Sequence, residues 1–471
     1  MVVLKKSKGL SSYNIGILQL ASCITEAAVF TLIYFAFWKI GYEEKYFADS
    51  FISGNFILPV IFASLSVVFL RSTKACLFGK IKTVNILINQ AVSVLSLNAV
   101  FYILLCLIGN TLIFPVYALI GTFTSGIYAI LHTVVFALIT KTLTPKMNML
   151  LIYGTDNAVS LKIKLDALKS KYNVTKLIPA DKGIDYIEKE LKAFDAVIIN
   201  DLHGHERNDI LKLCYKNKVT VYMVPKITDI ITRGADEINV VDTPLLLINK
   251  GGLTAIQKLL KRAMDITCCL LAMLAAAPLM LIIALAIKIE DGGPVFYKQK
   301  RATLGEREFD ILKFRSMIVD AEKDGRSIPA TGLDPRITKV GRIIRPFRLD
   351  ELPQILNILK GDMSIVGPRP ERLEHVYKYS EDIPEFVYRL NVKGGLTGYA
   401  QIYGKYNTSP YDKLRLDLFY IENYSLLLDI KLILLTVPVL FSKESTEGFD
   451  VAEEIERLKK EALESNSEAD E

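Results

Sequence analysis

The sequence predicts a multi-domain membrane protein: a four-helix transmembrane anchor, a Rossmann-like α/β module, and a re-entrant membrane helix leading into a cation-rich region. Three observations carry that prediction. Four long apolar runs open the chain, each reaching about the 20 residues that a helix needs to cross a bilayer. Short apolar strands alternating with helices follow them. A further apolar stretch is interrupted by Pro278 and flanked by cations on both sides. The boundaries drawn from these changes are 1–145, 146–250, 251–443 and a polar acidic tail, 444–471.

Composition agrees. The chain has 471 residues, 51% of them hydrophobic, and a mean hydropathy of +0.31, high for a soluble protein. A net charge of +6 suits work beside anionic lipid and phosphate and does not call for nucleic acid. The six cysteines form no C-x-x-C pair and read as small buried side chains rather than zinc ligands or a disulfide framework. His203 and His205 flank a glycine and are expected in a loop, not at a metal.

The anchor runs cover residues 15–37, 51–70, 84–108 and 112–140. The first is too long for a cleaved signal peptide. Lys5, Lys6 and Lys8 precede it, Arg71, Lys74, Lys80 and Lys82 fill the loop between the second and third, and Lys141 and Lys146 follow the fourth. By the positive-inside rule, both ends of the anchor are expected in the cytoplasm. Glu26, costly in lipid, is expected to face a neighbouring helix rather than a ligand.

From Asn148 the periodicity changes. Residues 149–153, 196–199 and 219–224 read as strands, and 160–171 and 206–217 as helices, the alternation of a parallel sheet. Gly154 stands alone where a dinucleotide site would have G-x-G-x-x-G, so a regulatory role or self-association of the chain suits this module better than nucleotide binding.

Residues 264–287 are apolar enough to enter a membrane, with Lys258, Lys261 and Arg262 before them and Lys288, Lys298, Lys300 and Arg301 after. Cations on both sides favour one address for both ends. Pro278 removes a backbone donor near the middle. A helix that enters, turns at Ala277-Pro278 and leaves on the same face is the expectation; a kinked spanning helix is the alternative.

The region from Gly292 to Gly404 is dense in Arg, Lys, Pro and Gly. Clustered cations are what a pyrophosphate needs where water is excluded, and also what an anionic membrane attracts. At its centre lie Asp350 and Glu351. Leu352, Ile355, Leu356 and Leu359 recur at helical spacing up to Gly361, which puts Asp350 at or near a helix amino end. There the helix dipole, Arg345 and Arg348 are expected to keep it ionised. An ionised carboxylate can attack phosphorus; a carboxylate so placed can equally serve as a plain N-cap.

Across residues 261–443 the chain resembles the bacterial sugar transferases, or polyprenyl-phosphate hexose-1-phosphate transferases. The resemblance rests on Lys261-Arg262 with Asp265, Gly293-Pro294-Val295-Phe296, Lys313-Phe314-Arg315-Ser316-Met317, Leu349-Asp350-Glu351-Leu352-Pro353-Gln354, Gly361-Asp362-Met363-Ser364 and Gly367-Pro368-Arg369-Pro370. It continues through Gly395-Leu396-Thr397-Gly398 with Ala400-Gln401, then Asp417, Tyr420, Asn423, Ser425 and Asp429. The anchor and α/β module resemble those of long-form members.

The resemblance implies a mainly helical α/β catalytic domain, at the cytoplasmic face of a bacterial inner membrane. It implies that Asp350 attacks a UDP-sugar, that UMP leaves, and that undecaprenyl phosphate takes the sugar-phosphate to begin a surface glycan. It gives Mg2+ as cofactor, with Asp350, Glu351 and, more weakly, Asp417 toward the metal. Lys313, Arg315, Arg345 and Arg369 would bind phosphates, and Pro278 would bend the membrane helix. Where the family has Ser-Pro at that bend, this chain has Ala277-Pro278.

A short apolar stretch, 426–441, is expected at the interface, followed by a solvated tail. Competing readings are a catalytically silent scaffold, which the intact Asp-Glu pair disfavours, and a transporter, which the long cationic region disfavours. A processive glycosyltransferase lacks its D-x-D motif here.

Overall fold

A computed structural model describes residues 12–43, 54–110, 113–143, 146–155, 157–166, 172–248, 251–319, 334–404 and 408–440. Two units emerge from its contacts. The described residues up to 224 form one, and those from 225 to 440 form the other.

In the first unit, α1 (Ser12–Trp38) runs into a π turn and is followed by α2 (Gly54–Ser72), α3 (Thr83–Ile108) and α4 (Val116–Leu143). By length and apolarity α1, α3 and α4 can each cross a membrane, whereas the described apolar stretch of α2, Ile57–Ser72, is shorter. The chain is a membrane protein. The bundle interior is aromatic: Tyr34 stacks on Phe62 at 4.5 Å and meets Phe101 edge-on at 4.7 Å. Leu32, Val60, Leu107 and Phe123 point outward, an apolar surface that lipid satisfies. Glu26 faces neighbouring helices as expected. It accepts from Gln90 Nε2 at 3.1 Å and from the Cys76 thiol at 3.4 Å, and His132 Nδ1 lies 3.6 Å away.

The α/β module holds a four-stranded parallel sheet of order β2–β1–β3–β4, with β1 at Met147–Tyr153, β2 at Tyr172–Pro179, β3 at Ala196–Asn200 and β4 at Thr220–Met223. Helices α5 (Asn157–Asp166), α6 (Ile184–Leu191) and α7 (Gly204–Lys216) lie between the strands in sequence. Strand β2 and helix α6 were not expected. The end of the expected helix 160–171 lies outside the described residues. His203 is the N-cap of α7 and His205 lies within it, paired with Asp209 at 3.1 Å, so the expected loop is a helix start.

In the second unit, α8 (Ile227–Arg233) and an antiparallel hairpin, β5 (Asp236–Val240) and β6 (Thr243–Leu247), lead to α9, Ala255–Asp291. Thr254 and Gln257 form a capping box that starts α9, and Gly292, at φ 70°, ends it. The helix continues through Pro278 without interruption, a correction to the expected break. Proline removes one helical hydrogen bond and bends the axis, but the apolar turns on either side keep their own bonds.

Cys269, in the first half of α9, packs with Phe309 and Ile311; Ile283 and Ile287, in the second half, pack with Phe314. All three aromatic and aliphatic partners belong to one strand, β8 (Glu308–Phe314), paired antiparallel with β7 (Phe296–Ala302). Between these anchored ends, Leu270, Leu271, Leu274, Leu281 and Ile282 are exposed.

The remaining elements are α10 (Lys339–Ile344), α11 (Gln354–Lys360), β9 (Ser364–Val366), α12 (Leu373–Asp382), β10 (Gly395–Thr397), α13 (Tyr399–Tyr403), α14 (Pro410–Glu422) and α15 (Leu426–Leu440). Strands β9 and β10 pair in parallel. The domain is thus mainly helical with small sheets. The expectations for the polar tail fall outside the described residues.

Candidate active site

Three segments build the site. Strand β8 presents Lys313, a 3-10 turn at Leu349–Glu351 presents the two carboxylates, and the loop after β9 presents Arg369. Arg348 enters the turn at φ 53°, a left-handed conformation uncommon for a side-chain-bearing residue and frequent at functional sites. Asp350 therefore precedes α11 by a separate turn. The N-cap of α11 is Pro353, and no side chain caps it. The capping role weighed for Asp350 is absent.

Glu351 is the clamped member of the pair. Its Oε1 accepts from Lys313 Nζ at 2.8 Å and from Arg369 Nη2 at 3.3 Å, and its side chain is 14% exposed. Burial opposes its charge, but Arg369, Lys313 and Arg348 outweigh burial and hold its pKa at about 2.

Asp350 differs in kind. Among the described residues no donor side chain pairs with it, and it is half-buried. Burial raises its pKa, Lys313 and Arg345 pull it back, Glu351 adds to the rise, and the net shift is upward. Desolvation is the larger effect, so the net shift runs opposite to the one the flanking cations alone would give.

The predicted cations divide. Lys313 and Arg369 meet at Glu351, and Arg345 is half-buried and favours a charged Asp350. Arg315 does not join them. Its guanidinium is 5% exposed, grips both oxygens of Asp291 and donates from Nε to the Pro294 carbonyl at 2.8 Å. It ties the end of α9 to the end of β8.

Asp417 is likewise committed elsewhere. It is 1% exposed and accepts from Arg389 Nε at 2.9 Å. Among the described residues no three carboxylates, histidines or cysteines group as metal ligands, so Asp417 is not brought to Asp350 and Glu351 as a third ligand. The donor set that remains, two adjacent carboxylates, suits Mg2+, which takes one or two carboxylates and fills its shell with water and substrate phosphate. Residues Asp350 and Glu351 fit that ion; Asp417 does not.

Sequence reading missed Arg389 and Arg301. Arg389 is almost wholly buried, holds Asp417 and donates to the carbonyl of Arg369 at 3.1 Å, which fixes the backbone behind the Arg369 guanidinium. Arg301, Lys313, Gln354, Arg369 and Gly395 line a small cavity beside the pair. An arginine among the apolar residues of Phe386–Leu390 was the available signal for the first.

This geometry coincides with sequence similarity. Residues 256–443 match the bacterial sugar transferase family. A UDP-glucose:undecaprenyl-phosphate glucose-1-phosphate transferase of Caulobacter vibrioides is 42% identical over 43% of this chain and 78% of its own. A UDP-N-acetylgalactosamine-undecaprenyl-phosphate N-acetylgalactosaminephosphotransferase of Aeromonas hydrophila is 38% identical over 53% of this chain and 59% of its own. An uncharacterized sugar transferase of Bacillus subtilis is 38% identical over 40% of this chain and 91% of its own. The chain belongs to the bacterial sugar transferase family.

Proposed function

We propose that this protein transfers a sugar-1-phosphate from a UDP-sugar to undecaprenyl phosphate through a covalent intermediate on Asp350. The observation that carries this reading is the asymmetry of the pair: Glu351 is clamped by two cations, while Asp350 lies beside them with no side-chain hydrogen-bond donor among the described residues. The relatives' names, which specify UDP-sugars and undecaprenyl phosphate, support it.

In the first step a carboxylate oxygen of Asp350 bonds to the β-phosphorus. The bond from that phosphorus to the bridging oxygen breaks, and UMP leaves with the electron pair. In the second, an oxygen of undecaprenyl phosphate bonds to the same phosphorus and the Asp350 carboxylate departs. Neither step needs a net proton. Lys313 and Arg369 offset the phosphate charge, and Glu351 keeps both in place. Mg2+ held by Asp350 and Glu351 would neutralise charge on the pyrophosphate oxygens. Arg389 acts on Arg369 through the backbone.

The reading includes the inner membrane, with the active site on the cytoplasmic face where UDP-sugars are found. The reading also includes a re-entrant α9; in its favour, residues of both halves share hydrophobic clusters with residues of β8, while the leucines between them are exposed. Product formation would begin an exopolysaccharide, capsule or O-antigen type glycan. UMP release by purified protein, undecaprenyl phosphate and a panel of UDP-sugars tests the reaction. Release that is present in the native chain and absent in Asp350→Asn supports it; no release with any donor leaves the silent-scaffold reading standing. Reporters after residue 143 and residue 440 should read one side of the membrane, and opposite sides would refute re-entry.

A further inference from the structure

We propose that Lys393 and Arg262 form a binding site for the phosphate group of an anionic membrane lipid, at the carboxyl end of α11. The site is separate from the Glu351 clamp. The carboxylate pair precedes α11 and this cluster follows it; the seven-residue helix sets the two about 10 Å apart.

The argument starts at Gly361, φ 94°. A Cβ placed there would lie 3.6 Å from Arg262 Nη2 and 3.7 Å from Lys393 Nζ, so two cations converge on one point. Arg262 is partly satisfied: Nη1 and Nη2 donate to the carbonyls of Ile358 and Leu359 at 2.6 and 2.7 Å. Arg307 reaches Asp362 Oδ1 at 3.2 Å, and Lys360 is 3.4 Å from the other oxygen.

Lys393 has no hydrogen-bond or ion-pair partner among the described residues. The nearby acids are already engaged. Asp265 accepts from the Ser364 hydroxyl at 2.8 Å and the Ile365 amide at 3.0 Å, and Asp362 holds its own two cations. Burial, then Arg262 and Arg307, push the Lys393 pKa down against the pull of Asp265 and Asp362. The acids nearest Lys393 are bonded to other donors, which leaves its ammonium group able to take a further anion. A phosphate oxygen bridging Lys393 and the free donors of Arg262 would supply it through charge-assisted hydrogen bonds.

Lipid is favoured over free phosphate by position. Arg262 lies on α9 about two turns before the exposed Leu270, Leu271 and Leu274. A cation there sits at headgroup depth when those leucines enter the hydrocarbon. Held at this point, a lipid phosphate would pin the entry of α9. The proposal does not depend on the transfer chemistry.

The test uses the full chain in nanodiscs of phosphatidylcholine, with or without phosphatidylglycerol. Lysine methylation is mapped by peptide mass spectrometry. The expected result is that phosphatidylglycerol lowers Lys393 labelling several-fold and leaves the exposed Lys360 unchanged, while inorganic phosphate added to phosphatidylcholine discs protects little. Equal Lys393 labelling in both discs would overturn the site. Protection by inorganic phosphate as strong as by phosphatidylglycerol would overturn the lipid assignment. In native mass spectrometry, Lys393→Gln should retain phosphatidylglycerol about tenfold less and Lys393→Arg should restore retention; undiminished retention by a folded Lys393→Gln protein also overturns the proposal. If Lys393→Gln does not fold, the labelling of the unsubstituted chain decides.

Discussion

Two buried acidic settings, one in each unit, divide along chemical lines. Glu26 in the helical bundle is enclosed by Gln90, Cys76 and His132, with no Lys or Arg among the described residues bonded to it. Glu351 is enclosed by Lys313 and Arg369, and a second carboxylate, Asp350, stands next to it with no side-chain donor among the described residues. Around Glu26 neutral donors reach one oxygen, Oε2, and tie helices together, while Oε1 is buried with no partner among the described residues. Cations beside a satisfied carboxylate create a surplus of positive potential that an incoming phosphate can use. The contrast teaches that burial alone does not mark a reactive acid; the free neighbour of a clamped acid does.

The sharpest way to break this comparison is substitution of the free acid. Asp350→Asn should lower UMP release by at least roughly a thousandfold with the fold intact by circular dichroism. A rate within tenfold of native would place the nucleophile elsewhere. Removing one jaw of the clamp is milder. Lys313→Met should lower kcat/KM about ten- to a hundredfold, the range of a lost charge-assisted hydrogen bond.

The pH dependence follows from the same contrast. Because burial raises the Asp350 pKa, activity should fall as pH drops through a value above that of an ordinary aspartate, while Glu351, held at about 2, stays charged throughout. An acid limb at or below the ordinary aspartate value would contradict the desolvated nucleophile. Arg315→Lys should lower thermal stability, because a lysine cannot grip both oxygens of Asp291 and the Pro294 carbonyl together, and leave KM for the UDP-sugar unchanged. A raised KM with unchanged Tm would return Arg315 to the phosphate site. Smallest of all, Glu26→Gln should change UMP release less than about threefold, since the amide can keep part of the hydrogen bonding.

Much of this architecture was legible in the sequence, for stated reasons. Apolar runs of bilayer length and a change to strand–helix alternation are local signals, and they located the anchor helices and three of the four strands in the sheet. Strand β2 escaped because it lies at the sheet edge, where Asn173 and Lys176 break the apolar pattern. The Asp350-Glu351 pair and its Lys313 and Arg369 partners were legible as a motif. What each does there was not. Arg315 and Asp291 are 24 residues apart, and Arg389 and Asp417 are 28 apart. Which cation neutralises a protein carboxylate, and which remains for substrate, is decided by tertiary proximity that spacing does not encode. The continuity of α9 through Pro278 was also hidden, since a proline signals a lost bond but not whether neighbouring turns carry the helix on.

The most direct test is intact-protein and peptide mass spectrometry of the full chain incubated with Mg2+ and each UDP-sugar, without lipid acceptor, and quenched in acid. The account predicts a phospho-sugar mass increment on the peptide containing Asp350 with the productive donor, absent in Asp350→Asn and discharged by undecaprenyl phosphate. Steady UMP release with lipid present, but no adduct on that peptide under any donor, would contradict it.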